Sequence, residues 1–244
     1  MTLDVYLLPE LASPDQLQGK TVVVIDVLRA STTITTALAV GAREVVPCLE
    51  VDEARRVAAE YGPDLLLGGE RDGLPIDGFD FGNSPAEYTS ARVSGKTIVF
   101  TTTNGTKSMQ RCRQADLVLI GAFVNLSAVC RVLLGTTQIG LVCAGTCGEI
   151  TAEDVLFAGA VVNKLTSAGE QKLELNDQAQ LARDAWQVPA ADDRVDLGVR
   201  LRQSQGGRNL TRIGMTGDID LAARVDAFEI VPQLDTAKWR IYVA

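Results

Sequence analysis

Thr21-Val-Val-Val-Ile-Asp26-Val-Leu-Arg29-Ala-Ser31-Thr32-Thr33 decides how the rest of the chain is read. Its apolar part shows no polar alternation, so the strand is buried on both faces, as in a parallel sheet covered by helices on either side. An acid closes the strand and hydroxyls open the helix predicted over 31–40. The same alternation spreads outward from there. Strands are predicted at Leu3–Leu8, Val45-Val46, Asp64–Leu67, Thr97–Thr101, Asp116–Ile120 and Ile139–Cys143. Helices are predicted at 51–61, stopped by Gly62-Pro63, at 105–113 and 126–134, and from Pro85 onward. Beyond residue 148 the pattern turns helical, over 152–167, 174–187 and 192–204. Two strands, Phe228–Val231 and Trp239–Val243, end it. The expected fold is α/β: a three-layer α/β/α arrangement on a mostly parallel or mixed sheet. It divides into an α/β lobe over 1–148 and a helix-rich lobe over 149–244, with the site between them.

The bulk numbers bound the function. With 23 Lys and Arg against 31 Asp and Glu, the net charge is −8. That excludes nucleic acid and anionic membrane as main partners, since both need a basic face. A homodimer is allowed. The five cysteines follow no disulfide spacing, there is no signal-peptide pattern, and no apolar run reaches membrane-spanning length, so a cytoplasmic protein is expected. The chain contains no histidine. A Ser-His-Asp triad, a phosphohistidine and a histidine-rich zinc site are all excluded. Oxygen-ligand metal chemistry, Cys or Asp nucleophiles, Lys, or cation-activated water remain.

In open α/β sheets ligands bind beyond the carboxyl ends of the strands, and five such ends here are polar. At the first, Asp26 can hold Mg²⁺ and Arg29 can clamp an anion, while Ser31 and Thr32 start a helix whose free N–H groups suit phosphate. The competing reading is an ordinary N-cap with a structural Asp26–Arg29 pair. At the second, Gly68-Gly-Glu70-Arg71-Asp-Gly73 supplies another carboxylate on a glycine-rich turn, or simply a solvated turn. At the third, capping explains Asn83 or Ser84 but leaves Asp80 over as a candidate catalytic acid. At the fourth, Thr101-Thr-Thr103-Asn104-Gly105-Thr106 makes a dense set of neutral donors for a phosphoryl oxygen. At the fifth, Cys143 and Gly145 precede Glu153 and Asp154. Cys143 reads more readily as packing than as a nucleophile, and both acids are either metal ligands or dipole-favoured helix starters.

Better-known phosphate motifs fail. Gly95-Lys96-Thr97 lacks the leading glycine of a P-loop and precedes a strand. Leu28 stands where a haloacid-dehalogenase pattern needs Asp, and no arginine follows Cys143 at tyrosine-phosphatase spacing. Cys143 and Cys147 lack the companion pair of a zinc site.

Taken in order, VIDVLRASTT (24–33), GGERDG (68–73), FDFGNSP (79–85), TTTNGT (101–106), CAGT (143–146) and AEDVLFAGA (152–160) resemble the 2-phosphosulfolactate phosphatase (ComB) family of coenzyme M biosynthesis. Ser31 stands where that family normally has Thr, which keeps the hydroxyl. The resemblance implies Mg²⁺-dependent hydrolysis of a small phosphorylated hydroxy acid, (R)-2-phospho-3-sulfolactate, on an α/β fold unlike other phosphatases. The expected metal ligands come from Asp26, Glu70, Asp80, Glu153 and Asp154. Asp26, Arg29, Asp80 and Asn104 form the catalytic set, and Arg29 with Thr103–Thr106 binds phosphate. Ser31, Thr32, Asn83, Ser84, Cys143 and Gly145 complete the substrate contacts, with Arg71 or Arg208 on the sulfonate or carboxylate. Attack by water and attack by Asp26 itself both stay open. The alternative from another class is a non-catalytic phosphometabolite-binding protein on the same site.

Overall fold

The computed structural model describes residues 1–60, 64–168, 173–188 and 196–243. The expected stop at Gly62-Pro63 and the start of the helix expected over 192–204 lie outside them. Among the described residues eleven strands join one sheet: β1 (Thr2–Tyr6), β2 (Thr21–Ile25), β3 (Glu44–Cys48), β4 (Leu65–Arg71), β5 (Leu74–Pro75), β6 (Thr97–Thr101), β7 (Leu117–Gly121), β8 (Gln138–Cys143), β9 (Glu174–Leu175), β10 (Pro232–Asp235) and β11 (Arg240–Val243). Their order is β5-β4-β6-β3-β11-β10-β7-β2-β8-β1-β9. Two parallel blocks, β4-β6-β3 and β7-β2-β8-β1-β9, are joined by the antiparallel hairpin β10-β11. The fold is therefore α/β on a mixed sheet.

The hairpin reverses the blocks. β11 runs against β3 through the pair Ile241↔Val45, and β10 runs against β7 through Gln233↔Leu119 and Leu234↔Val118. Five strand steps separate β6 from β2, which in a flat sheet is roughly 24 Å. Yet a Cβ on Gly105, four residues past β6, would stand 2.9 Å from Asp26 Oδ2, one residue past β2. The sheet therefore curls on itself, and the carboxyl ends of β6 and β2 converge at a corner. Val22, Val24, Val118 and Ile120 of one block share a core with Val45, Ile98 and Phe100 of the other, around Ile34 and Ala37 of the helix Ala30–Ala39.

The opposite face of β2 and β8 packs on the helix Ala152–Ser167 through Val23, Ile25, Leu141, Phe157 and Val161. That helix in turn meets Asp177–Gln187 so closely that a Cβ on Gly159 would stand 2.0 Å from the Ala182 carbonyl oxygen. Where one helix was expected to run to residue 204, Ser204 ends Leu197–Gln203 and caps a new helix, Gln205–Arg212. Its Oγ accepts from Gly207 N at 3.1 Å, a geometry that stops one helix and starts the next. Thr216–Ala222 follows. These three short helices lie beside the corner where the strand ends meet.

Candidate active site

A cleft of about 270 Å³ opens at that corner, with Asp26, Arg29, Glu70, Asn83, Thr103 and Asn104 in its walls. Residues from the ends of β2, β4 and β6 and from the loop before Pro85 thus share one space.

Asp26 is buried. Its Oδ1 accepts from Ala30 N at 3.1 Å, and its backbone N–H donates to Ser31 Oγ at 3.0 Å. Oδ2 is turned toward Gly105, where any side chain would displace it. Burial pushes the Asp26 carboxyl up to about 7, an effect opposed by the Ala30 amide and by Arg29 and reinforced by Glu70 and Glu153. Ser31 and Thr32 build the turn: Ser31 Oγ also reaches Val24 O at 3.3 Å, and Thr32 Oγ1 donates to Val27 O at 2.8 Å.

Glu70 fixes two loops at once. Its Oε2 accepts from Gly73 N at 2.7 Å and its Oε1 from Thr103 N at 2.8 Å. Thr103 Oγ1 is buried with no hydrogen-bond partner among the described residues, as is Asn83 Oδ1. Asn104 Oδ1 accepts from Cys147 N at 3.2 Å, tying the β6 and β8 loops.

Arg29 does not pair with Asp26. Its guanidinium donates to Asp218 Oδ2 at 2.6 Å and to Gly73 O at 2.7 Å, with Met215 Sδ beside it. Asp218 Oδ1 also accepts from Ser84 Oγ at 2.5 Å. The second carboxylate layer lies in the first turn of Ala152–Ser167, where the helix dipole favours acids. Asp154 accepts from Val27 N at 2.9 Å and Gly145 N at 3.0 Å, clamping the β2 and β8 loops. Glu153 Oε1 accepts from Gly206 N at 3.1 Å, while Oε2 is buried without a partner among the described residues. Burial raises both carboxyls, and for Asp154 the charges of Glu153 and Asp26 add to it.

Carboxylate oxygens suit Mg²⁺. Among the described residues no group of three or more Asp, Glu or Cys forms a closed ligand cage. Glu70 and Asp154 use both oxygens on backbone amides. The donors left over are Asp26 Oδ2 and the orphaned Glu153 Oε2, on two carboxyls within electrostatic range of each other. That donor set fits an ion that takes one or two carboxylates and keeps several waters.

Other expected site residues lie elsewhere. Asp80 is exposed and outside the cleft; its Oδ2 accepts from Leu67 N at 2.8 Å, satisfying an amide at the β4 edge. Cys143 is fully buried with its thiol pushed well up by burial, so it packs rather than attacks. Gly145 serves through its backbone, and Thr106 Oγ1 faces Thr102 Oγ1 at 3.4 Å in the interior. Arg71 is tied to Leu49 O and Thr101 Oγ1, and Arg208 turns outward to Gln203 O, so both are engaged outside the cleft walls. Conversely, Asp218, Asn209 and Arg212 reach the site from helices that carry no motif. The one sequence signal was the Ser204 cap followed by the glycine pair Gly206-Gly207.

Paired acids, an anchored arginine and strand-end hydroxyls around one cleft define an anion-handling α/β site. The profile of the 2-phosphosulpholactate phosphatase family matches residues 6–237. Probable 2-phosphosulfolactate phosphatases are similar along nearly their whole length. That of Clostridium acetobutylicum is 37% identical over 96% of this chain and 97% of its own. That of Symbiobacterium thermophilum is 43% identical over 89% and 92%, and that of Deinococcus radiodurans 39% over 96% and 93%. The chain belongs to the 2-phosphosulfolactate phosphatase family. It is a phosphoric monoester hydrolase, which sets aside the non-catalytic alternative. Among the described residues no helix is long and apolar enough to cross a membrane.

Proposed function

We propose that this chain hydrolyses (R)-2-phospho-3-sulfolactate to 3-sulfolactate and phosphate, with Mg²⁺ as cofactor. The observation that carries the reading is Asp26: a strand-end carboxylate, buried in the cleft, with one oxygen anchored and the other unengaged. In the reaction a nucleophile oxygen bonds to phosphorus, the bond from phosphorus to the C2 oxygen breaks, and that oxygen gains a proton. A buried carboxyl with an unengaged oxygen can serve at either end of the transfer. Asp26 takes the proton of an attacking water, or attacks itself and is released by water. Thr103 Oγ1, without a partner in the wall, supplies a donor to a phosphoryl oxygen. Arg29, held by Asp218, sets positive charge beside it. Mg²⁺, held by Asp26 and Glu153, would neutralise charge on the phosphoryl oxygens.

Asp26→Asn keeps the shape and removes the charge, so kcat falls by about 10²–10⁴-fold with the far-UV spectrum unchanged. Near-normal turnover would remove Asp26 from the chemistry. Rapid acid quench of a single turnover with ³²P-labelled substrate separates the two routes: radioactivity on the Asp26 peptide marks a phosphoenzyme, and its absence throughout the turnover marks direct attack. Chelation abolishes turnover and Mg²⁺ restores it; full activity in chelator rejects the metal.

A further inference from the structure

The helix Gln205–Arg212 lays one face along the cleft. Gly206, Asn209, Leu210 and Ile213, at i, i+3, i+4 and i+7, line it together with Arg212. Gly206 is pinned at one end to Glu153. At the other end Ile213 packs on the β4–β5 turn, where a Cβ on Gly73 would lie 3.1 Å from its Cδ1. The helix therefore bridges the acidic wall and the Gly73 loop. Six residues of rise carry Arg212 about 9 Å along the axis from Gly206, away from the Glu153 end.

Among the described residues two cations line the cleft, Arg29 and Arg212. Arg29 is neutralised by Asp218 at 2.6 Å. Arg212 has no hydrogen bond or ion pair to any described residue, and neither does the side chain of Asn209, three residues earlier on the same face. A guanidinium that faces a cleft and has no carboxylate paired to it is a ready site for an oxyanion.

We propose that Arg212, with Asn209, binds the non-transferred anionic end of the substrate, its sulfonate or carboxylate, and so sets specificity for phosphate esters bearing a second negative group. The phosphoryl group lies across the cleft against Asp26 and Thr103. This rests on the phosphatase reading above and adds the residues that choose the ester. Arg71 and Arg208, the sequence candidates for that role, are occupied elsewhere.

The test compares wild type, Arg212→Gln and Arg212→Lys on three esters. 2-Phospho-3-sulfolactate has two further anionic groups, 2-phospholactate one, and phenyl phosphate none. In R212Q, kcat/KM on 2-phospholactate and on phosphosulfolactate falls about ten- to a hundred-fold further than on phenyl phosphate, mostly through KM. R212K recovers part of the loss. Binding of 3-sulfolactate, followed by calorimetry, weakens in R212Q by a similar factor, whereas binding of inorganic phosphate weakens less. Equal losses on all three esters, or a larger loss of phosphate affinity, would place Arg212 on the transferred group and overturn the proposal. Wild type that hydrolyses the other two esters but not phosphosulfolactate refutes the substrate assignment alone, since the ratio between those two still judges Arg212.

Discussion

Arg29 and Asp218, 189 positions apart in the chain, form a buried ion pair at 2.6 Å that joins the turn after β2 to the helix Thr216–Ala222. Asp218 also receives Ser84 Oγ, so one carboxylate orients residues from two loops. It is a positioning residue. Asp218→Ala leaves a guanidinium uncompensated in the interior, a change that costs about 3–5 kcal/mol where a buried pair is broken. Urea denaturation should show a loss of that order, and kcat should fall by about a hundred-fold as Arg29 drifts. Arg29→Met with Asp218→Leu should be less destabilised than the sum of the two single changes. Additive effects would deny the coupling.

How much of this was visible beforehand depends on distance along the chain. Thr97–Thr101 was located to the residue, because a continuous β-branched run bounded by Gly95 and polar threonines reads only as a buried strand. Asp26, Thr103 and Asn104, expected from the rule that strand ends carry the chemistry of α/β sheets, line one cleft. The last hairpin misled. A strand was expected at Phe228–Val231, but Phe228 N bonds to Val124 O in a loop, and pairing begins at Pro232. Proline is tolerated there as the first residue of a strand. Asp80 sat in a motif yet serves an edge amide, while Asp218 and Arg212 had no motif because only the closure of the fold brings their helices to the cleft.

Thiol chemistry gives a second check. Burial pushes Cys48, Cys112 and Cys130 up to about 12 and Cys143 well above the usual thiol range, while Cys147 is exposed at the cleft. N-Ethylmaleimide on the folded protein should therefore label Cys147 first, as peptide mapping by mass spectrometry would show. Cys143→Ala should keep kcat within about two-fold, at a stability cost of roughly 1 kcal/mol for the lost sulfur contact. A thousand-fold loss of turnover would return Cys143 to the mechanism.

Two glycines separate packing from catalysis. In Gly159→Ala the new methyl meets the Ala182 carbonyl oxygen at 2.0 Å, backbone that cannot step aside. The two helices must part, costing about 1–3 kcal/mol, with KM nearly unchanged. In Gly206→Ala the methyl meets Glu153 Oε1 at 2.2 Å. There the carboxylate, whose charge acts on Asp26, is displaced, so turnover falls more than stability. Thermal melts and initial rates measured on both variants decide it, and the reverse pattern would uncouple Glu153 from the site.

The buried acids also fix the sign of the pH dependence without metal. The folded carboxyl of Asp26 is raised to about 7, and those of Glu153 and Asp154 are raised too, against roughly 4 in an unfolded chain. Through that interval the folded state binds more protons than the unfolded one, so stability falls as pH rises. The contribution is complete at low pH and lost as pH passes through about 7. In chelator, the urea midpoint should be higher at pH 5.5 than at pH 8. Asp26→Asn, which cannot ionise, should flatten the slope and raise the midpoint at pH 8. Adding Mg²⁺ to wild type should raise the pH 8 midpoint more than the pH 5.5 one, since a cation favours the ionised carboxylates. A chelated protein that grows more stable from pH 5.5 to 8 would show that burial does not hold these acids protonated, and would leave the cleft no electrostatic reason to recruit a divalent ion.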